Sequence, residues 1–314
     1  MNNFQHFKNF FQIILLITSI SIHSNDIDDN EKAFSNLMFA LESGNKKQFE
    51  KLLKNGLDIN ITGKGNDLNL LLANTDHWSV EDVEYLISKG INIKHRAKNG
   101  LPLFACFLSS LCMFPDRINE IRKITTLLEK NGYDIYEQFD VSFAFGDGVE
   151  KNWNSLIYMV DTNIPNAVEF LLTLHFDINY ADYNKMTALH HAVYNYGGQC
   201  MDDNSEIVMQ LLLSKGAETN RVDINGNTPL ILAARNNSLT GIKKLLKYNA
   251  DINKKNNDGN TALIIAIKNK SSECAEFLIK QKADINIKNK LNQTALEVAT
   301  EMKNTKIMIL LLEE

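Results

Sequence analysis

Thr228-Pro229-Leu230-Ile231-Leu232-Ala233 recurs 33 residues later as Thr261-Ala262-Leu263-Ile264-Ile265-Ala266, and 33 residues after that as Thr294-Ala295-Leu296-Glu297-Val298-Ala299. A second marker keeps the same period: Ala250-Asp251-Ile252-Asn253 returns as Ala283-Asp284-Ile285-Asn286. A fixed period in this range means stacked copies of one supersecondary unit, none of which can bury its apolar face without neighbours. Function is then expected on an extended surface rather than in one pocket.

Following the marker leucine backwards from Leu296, Leu263 and Leu230 gives Leu189, Leu156, Leu103, Leu70 and Leu37, so eight units are predicted. Most steps are 33, but Leu189 to Leu230 is 41 and Leu103 to Leu156 is 53. The second marker, which reads Gly56-Leu57-Asp58-Ile59-Asn60 near the start, places two insertions inside units three and five and a third between units three and four.

Within a unit, Thr228 is a good helix N-cap, and Pro229 sits at a first-turn position whose amide has no intrahelical partner anyway. Leu230, Ala233 and Ala234 fit a buried stripe, and Asn236-Asn237-Ser238 reads as a turn. Ile242, Leu245 and Leu246 mark a second helix. It ends near Asn249, in the slot that holds Gly56, Gly90 and Gly216 elsewhere, where a left-handed cap is expected.

The marker and the 33-residue helix-turn-helix-hairpin unit resemble the ankyrin repeat family, over about residues 31 to 314. The wording is specific in units five to seven. In units two to four, Leu68-Asn69-Leu70, Leu101-Pro102-Leu103 and Asn154-Ser155-Leu156 lack the threonine, and units one to four rest mainly on spacing. The resemblance implies an all-α solenoid with boundaries near 31–64, 65–97, 98–150, 151–183, 184–224, 225–257, 258–290 and 291–314. It also implies that partners are held by hairpin tips and the inner-helix groove, and that His190 hydrogen-bonds the start of its own helix.

Residues 1–24 stand outside the repeat. One charge, Lys8, precedes an apolar run from Phe10 to Ile22, and Asn25-Asp26-Ile27-Asp28-Asp29 then turns acidic. That is the layout of a secretory signal peptide cleaved after Ser24, leaving 25–314 as an exported domain, periplasmic or secreted. The run is short and polar for a membrane span, which needs about 20 residues; an uncleaved anchor is the alternative. Removing Lys8 takes the net charge from −5 to −6. A mildly acidic product argues against nonspecific nucleic-acid binding. Lys94-His95-Arg96-Ala97-Lys98 reads as a solvated loop.

Cys106, Cys112, Cys200 and Cys274 read as free or buried thiols, with a Cys112–Cys200 bridge through the insertions as the exception. His190 and His191 imitate a catalytic or metal pair, but adjacent helical positions point about 100° apart. Gly63-Lys64-Gly65 and Gly146-Asp147-Gly148 match no phosphate or dinucleotide motif, and Asp26-x-Asp28-x-Asn30 lacks the rest of a calcium loop. No catalytic residue, metal ligand or cofactor is expected.

The candidate contacts are therefore for protein. Candidate tips include Asn225 and Asn227, Asp258 and Asn260, and Lys290 and Asn292. The insertion from Glu137 to Trp153 carries Phe139, Phe143, Phe145 and Trp153, aromatic residues of the kind that dominate binding hot spots; the alternative is that its rings fold back to cover a degenerate neighbour. Tyr194 and Tyr196 open an inserted loop expected on the edge opposite the tips. The expected function is a non-catalytic, monomeric protein-binding scaffold. A membrane-tethered envelope component, or an enzyme with the insertion as a lid, are the alternatives.

Overall fold

The structure, a computed structural model, describes residues 29–63, 68–142, 149–196 and 203–313. The expected signal segment 1–24 lies outside them. So do Phe143, Phe145, Cys200, Lys64-Gly65, Gly146-Asp147-Gly148, Asp26 and Asp28. The chain divides into two compact parts, 1–155 and 156–314.

In the first part, α1 (Asp29–Glu42) packs on α2 (Lys46–Lys54), with Leu37, Leu41 and Phe49 buried between them. Repeat 2 departs from the expected helix pair. Its first helix shrinks to a 3-10 turn at Leu72–Asn74, followed by α3 (Val80–Ser88). The cause is local: the indole Nε1 of buried Trp78 donates to the carbonyls of Leu70 and Leu71 at 3.2 Å each, taking acceptors that a continuing helix would use. Arg117 Nη1 in turn holds the Thr75 carbonyl at 2.8 Å. Repeat 3 pairs α4 (Leu103–Ser109) with α5 (Ile118–Lys130), and 3-10 turns at Ser110–Cys112 and Pro115–Arg117 absorb the insertion. No disulfide joins Cys106 to Cys112.

The between-unit insertion is an antiparallel hairpin, β1 (Phe139–Ser142) and β2 (Val149–Trp153), in which Phe139 pairs with Trp153. It lies on the preceding repeat connection. Ser142 N donates to the Asn99 carbonyl at 3.0 Å. Gly100 comes so close that a Cβ there would stand 2.1 Å from the Asp140 carbonyl oxygen, so no side chain fits. Arg96 ion-pairs with Glu137, which corrects the expectation that 94–98 is merely a solvated loop.

In the second part every repeat has its helix pair: α6 (Ser155–Asp161) with α7 (Pro165–Leu171), α8 (Ala188–Tyr196) with α9 (Asp203–Ser214), α10 (Pro229–Arg235) with α11 (Leu239–Lys247), α12 (Ala262–Lys268) with α13 (Ser272–Lys280), and α14 (Ala295–Glu301) with α15 (Thr305–Glu313). The Thr228, Thr261 and Thr294 hydroxyls accept the N3 amides of α10, α12 and α14, as N-caps do. First helices stack on first helices, α8 on α10 on α12 on α14, through Leu230, Ala233, Leu263 and Ala266, each at most 1% exposed. Asn249 has φ 61°, confirming the left-handed cap; Lys282 occupies the same slot at φ 64°.

Candidate protein-binding face

The Asp-Ile-Asn marker turns out to be a hydrogen-bond device between repeats. Asp177, Asp251 and Asp284 each accept, through Oδ1, the amide of the asparagine two residues on, all at 2.9 Å. The asparagine then reaches forward: Asn179, Asn220 and Asn253 Oδ1 accept the backbone N–H of Glu218, Asp251 and Asp284 at 2.9, 2.8 and 2.9 Å. The aspartate rigidifies its own turn, and the asparagine fastens the next one.

A second ladder runs through the hairpins. Asp182, Asp223, Asn256 and Asn289 Oδ1 accept the amide four residues later, at 2.7 to 3.0 Å, which closes each hairpin base. At the tips, Ile224 N donates to the Asn184 carbonyl, Asn257 N to Asn225, and Lys290 N to Asp258, at 2.8, 3.0 and 2.9 Å. The tips are therefore bonded tip to tip. Their side chains project from a backbone that is already ordered, which lowers the entropy cost of contact.

These ladders sort the expected contacts. Asn225, Asp258, Lys290 and Asn292 are exposed on the tips. Asn227 and Asn260 are not contacts: they are 0% and 4% exposed, because their side chains close the hairpin base and accept the Nδ2–H of Asn256 and Asn289. Phe139 and Trp153 are likewise corrected. At 3% and 1% exposure they are part of the core, because leaving two rings in water costs more than folding the hairpin over its neighbour. Tyr194 is 61% exposed but sits in α8 rather than in a loop, since the helix runs on to Tyr196, whose side chain lies outside the described residues.

Sequence reading missed several surface residues. Tyr183, Ile224 and Leu291, exposed by 66%, 51% and 73%, are large apolar side chains on tips. Their signal was position: each falls one or two residues after the hairpin-base Asp or Asn. A second row was also missed. The residue seven after each marker threonine is Tyr194, Arg235, Lys268 and Glu301 in turn. Three of these touch the hairpin base: Arg235 Nη2 donates to Asn227 Oδ1 and Lys268 Nζ to Asn260 Oδ1, both at 3.2 Å, and Glu301 Oε2 accepts Gln293 Nε2 at 2.8 Å. The first-helix ends and the hairpins thus line one face.

The histidine pair divides its work. His190 Nδ1 lies 3.1 Å from Thr187 N, and its Nε2 lies 3.2 Å from the Asn227 carbonyl, so it joins its own helix start to the next repeat. Burial lowers its pKa to about 4 and keeps it neutral. His191 stands between two carboxylates, Nδ1 at 3.3 Å from Asp161 and Nε2 at 3.1 Å from Asp182. Burial opposes its charge, but the hydrogen bonds and attraction of Asp161 and Asp182 outweigh burial and raise it to about 9. It is an imidazolium with both ring nitrogens engaged. Burial pushes the Cys106 and Cys274 thiols up to about 12 and about 11, so neither is a nucleophilic thiolate near neutral pH. Among the described residues no group of three His, Cys, Asp or Glu is arranged to hold a metal ion.

No curated protein matches the chain. Family models do: an ankyrin repeat model matches residues 184–224, one of many ankyrin repeats 212–266, and one of three ankyrin repeats 242–314. Their union begins at repeat 5, where the marker threonine first appears. Residues 184–314 are a run of ankyrin repeats, and the fold is an all-α ankyrin-repeat solenoid.

Proposed function

We propose that this chain is a non-catalytic scaffold that binds a protein partner through the face lined by the hairpin tips and first-helix ends of 156–314. Ankyrin repeats generally mediate protein–protein interaction. The observation that carries the reading here is the tip-to-tip ladder, which holds exposed Tyr183, Ile224 and Leu291 on ordered backbone. Exposed apolar side chains on a rigid frame suit recognition, because contact removes their area from water at little ordering cost. The 139–153 hairpin serves the first part of the chain as a cover for its core.

The test is affinity capture with the full chain beside a Tyr183→Ser/Ile224→Ser/Leu291→Ser variant of equal helical circular dichroism. A protein held by the first and lost by the second supports the reading. Capture unaffected by the three changes counts against this face.

Export belongs to the same proposal and rests on residues 1–24 alone. Among the described residues no helix is long and apolar enough to cross a membrane. The mass of the mature N-terminus decides between cleavage after Ser24 and a retained anchor.

A further inference from the structure

We infer that the partner segment bound on this face is an extended peptide with acidic residues at two positions three apart, facing Arg235 and Lys268. The inference rests on the protein-binding reading above and names its chemistry.

α8, α10, α12 and α14 pack side by side, and packed helices lie about 8–10 Å apart. Tyr194, Arg235, Lys268 and Glu301 end equivalent turns of those helices, so they form a row with that step. An extended polyproline-type segment has three residues per turn and rises about 3.1 Å per residue, which returns the same side every ~9 Å. A β-strand repeats its faces every two residues, about 6.8 Å, and drifts out of step with the row. The row therefore reads every third residue of a polyproline-like chain.

Charge then sets identity. Arg235 is exposed and Lys268 half-buried, and the groups that hold them are neutral amide oxygens, Asn227 Oδ1 and Asn260 Oδ1. Among the described residues no carboxylate pairs with either. Their positive charge is positioned but uncompensated, and two carboxylates one turn apart would complete it with charge-assisted hydrogen bonds. At the ends, the Tyr194 ring offers an apolar contact and the Glu301 carboxylate favours a basic residue. The pattern along the row is thus apolar, acidic, acidic, basic, each separated by two residues.

The experiment is selection of a phage-displayed library of random 12-residue peptides on the immobilised full chain, followed by fluorescence anisotropy of the enriched peptides. Arg235→Gln/Lys268→Gln keeps a hydrogen-bond donor at each site and removes the charge; Arg235→Glu/Lys268→Glu reverses it. Enrichment of acidic pairs three apart supports the inference, given a loss of at least about 100-fold in affinity on reversal and at least about tenfold on neutralisation. Peptides with lysine at those positions should then bind the reversed variant. Enriched peptides without that spacing, bound equally by all variants, overturn this inference and leave the scaffold reading standing. Absence of any enriched peptide, with folding confirmed by circular dichroism, also overturns this inference, while the scaffold reading stands or falls on the affinity capture above.

Discussion

Replacing His191 by asparagine tests how the start of the matched ankyrin run is fastened to repeat 4. In the wild type the imidazolium bridges Asp161 on α6 and Asp182 at the hairpin base, and the Asp182 side chain is 1% exposed. Removing the cation leaves a buried carboxylate uncompensated, which typically costs 3–5 kcal/mol. The raised pKa of His191 points to a similar figure. A rise from the ordinary 6.5 to about 9 corresponds, at about 1.4 kcal/mol per pH unit, to roughly 3 kcal/mol as an upper figure. Because the folded value is the higher one, that stability is fully present below pH 6.5 and is lost as pH rises through 9. His190 has the opposite sign. Its folded value is lowered to about 4, so its contribution is present above pH 6.5 and fades as pH falls towards 4. The two windows do not overlap; the variant removes the alkaline one and, by taking away the positive charge beside His190, also narrows the acid one. Urea unfolding followed by circular dichroism at pH 6 and pH 9.5 should show the His191→Asn variant weaker by about 3 kcal/mol at the lower pH and by less than about 1 at the higher. His191→Asn/Asp182→Asn should recover much of the loss. A variant equally weakened at both pH values would refute the buried ion triad and leave His191 a packing residue.

Three further outcomes follow from the same geometry. Trp153→Ala should destabilise by about 3–5 kcal/mol in urea titration, as expected for a buried aromatic side chain, and should not act as a clean binding mutant. Asn253→Ala removes the acceptor of the Asp284 amide and should cost about 1 kcal/mol, with faster hydrogen exchange at that amide. Lys282→Gly should raise the thermal midpoint. Relief of a left-handed β-carbon, about 1–2 kcal/mol, exceeds the ~0.5–1 kcal/mol entropy cost of glycine at φ 64°.

The repeat was legible because packing forces it. In repeats five to eight a threonine, a leucine two residues on and an alanine five residues on recur where a first helix must start and approach its neighbours closely. Repeat 2 was not legible in the same way, since its lost helix depends on where Trp78 places one nitrogen, which no periodicity encodes. The aromatic insertion left two readings open for a related reason: whether loop-length rings are exposed or form a cover is settled for Phe139 and Trp153 only when strand pairing brings them opposite each other. Asn227 and Asn260 read as contact residues on the tips because an asparagine closing a hairpin base and one facing outward share a sequence signature. Arg235 and Lys268 were visible all along at a fixed offset from the marker threonine, but their importance needed the hairpin base beside them.

The most direct measurement is hydrogen exchange of the full chain with and without its captured partner, read at peptide resolution. Slowed exchange is expected over 183–194, 224–235, 257–268 and 290–301, with α11 and α13 unchanged. Protection confined to α11, α13 or the 139–153 hairpin would contradict binding on the tip face.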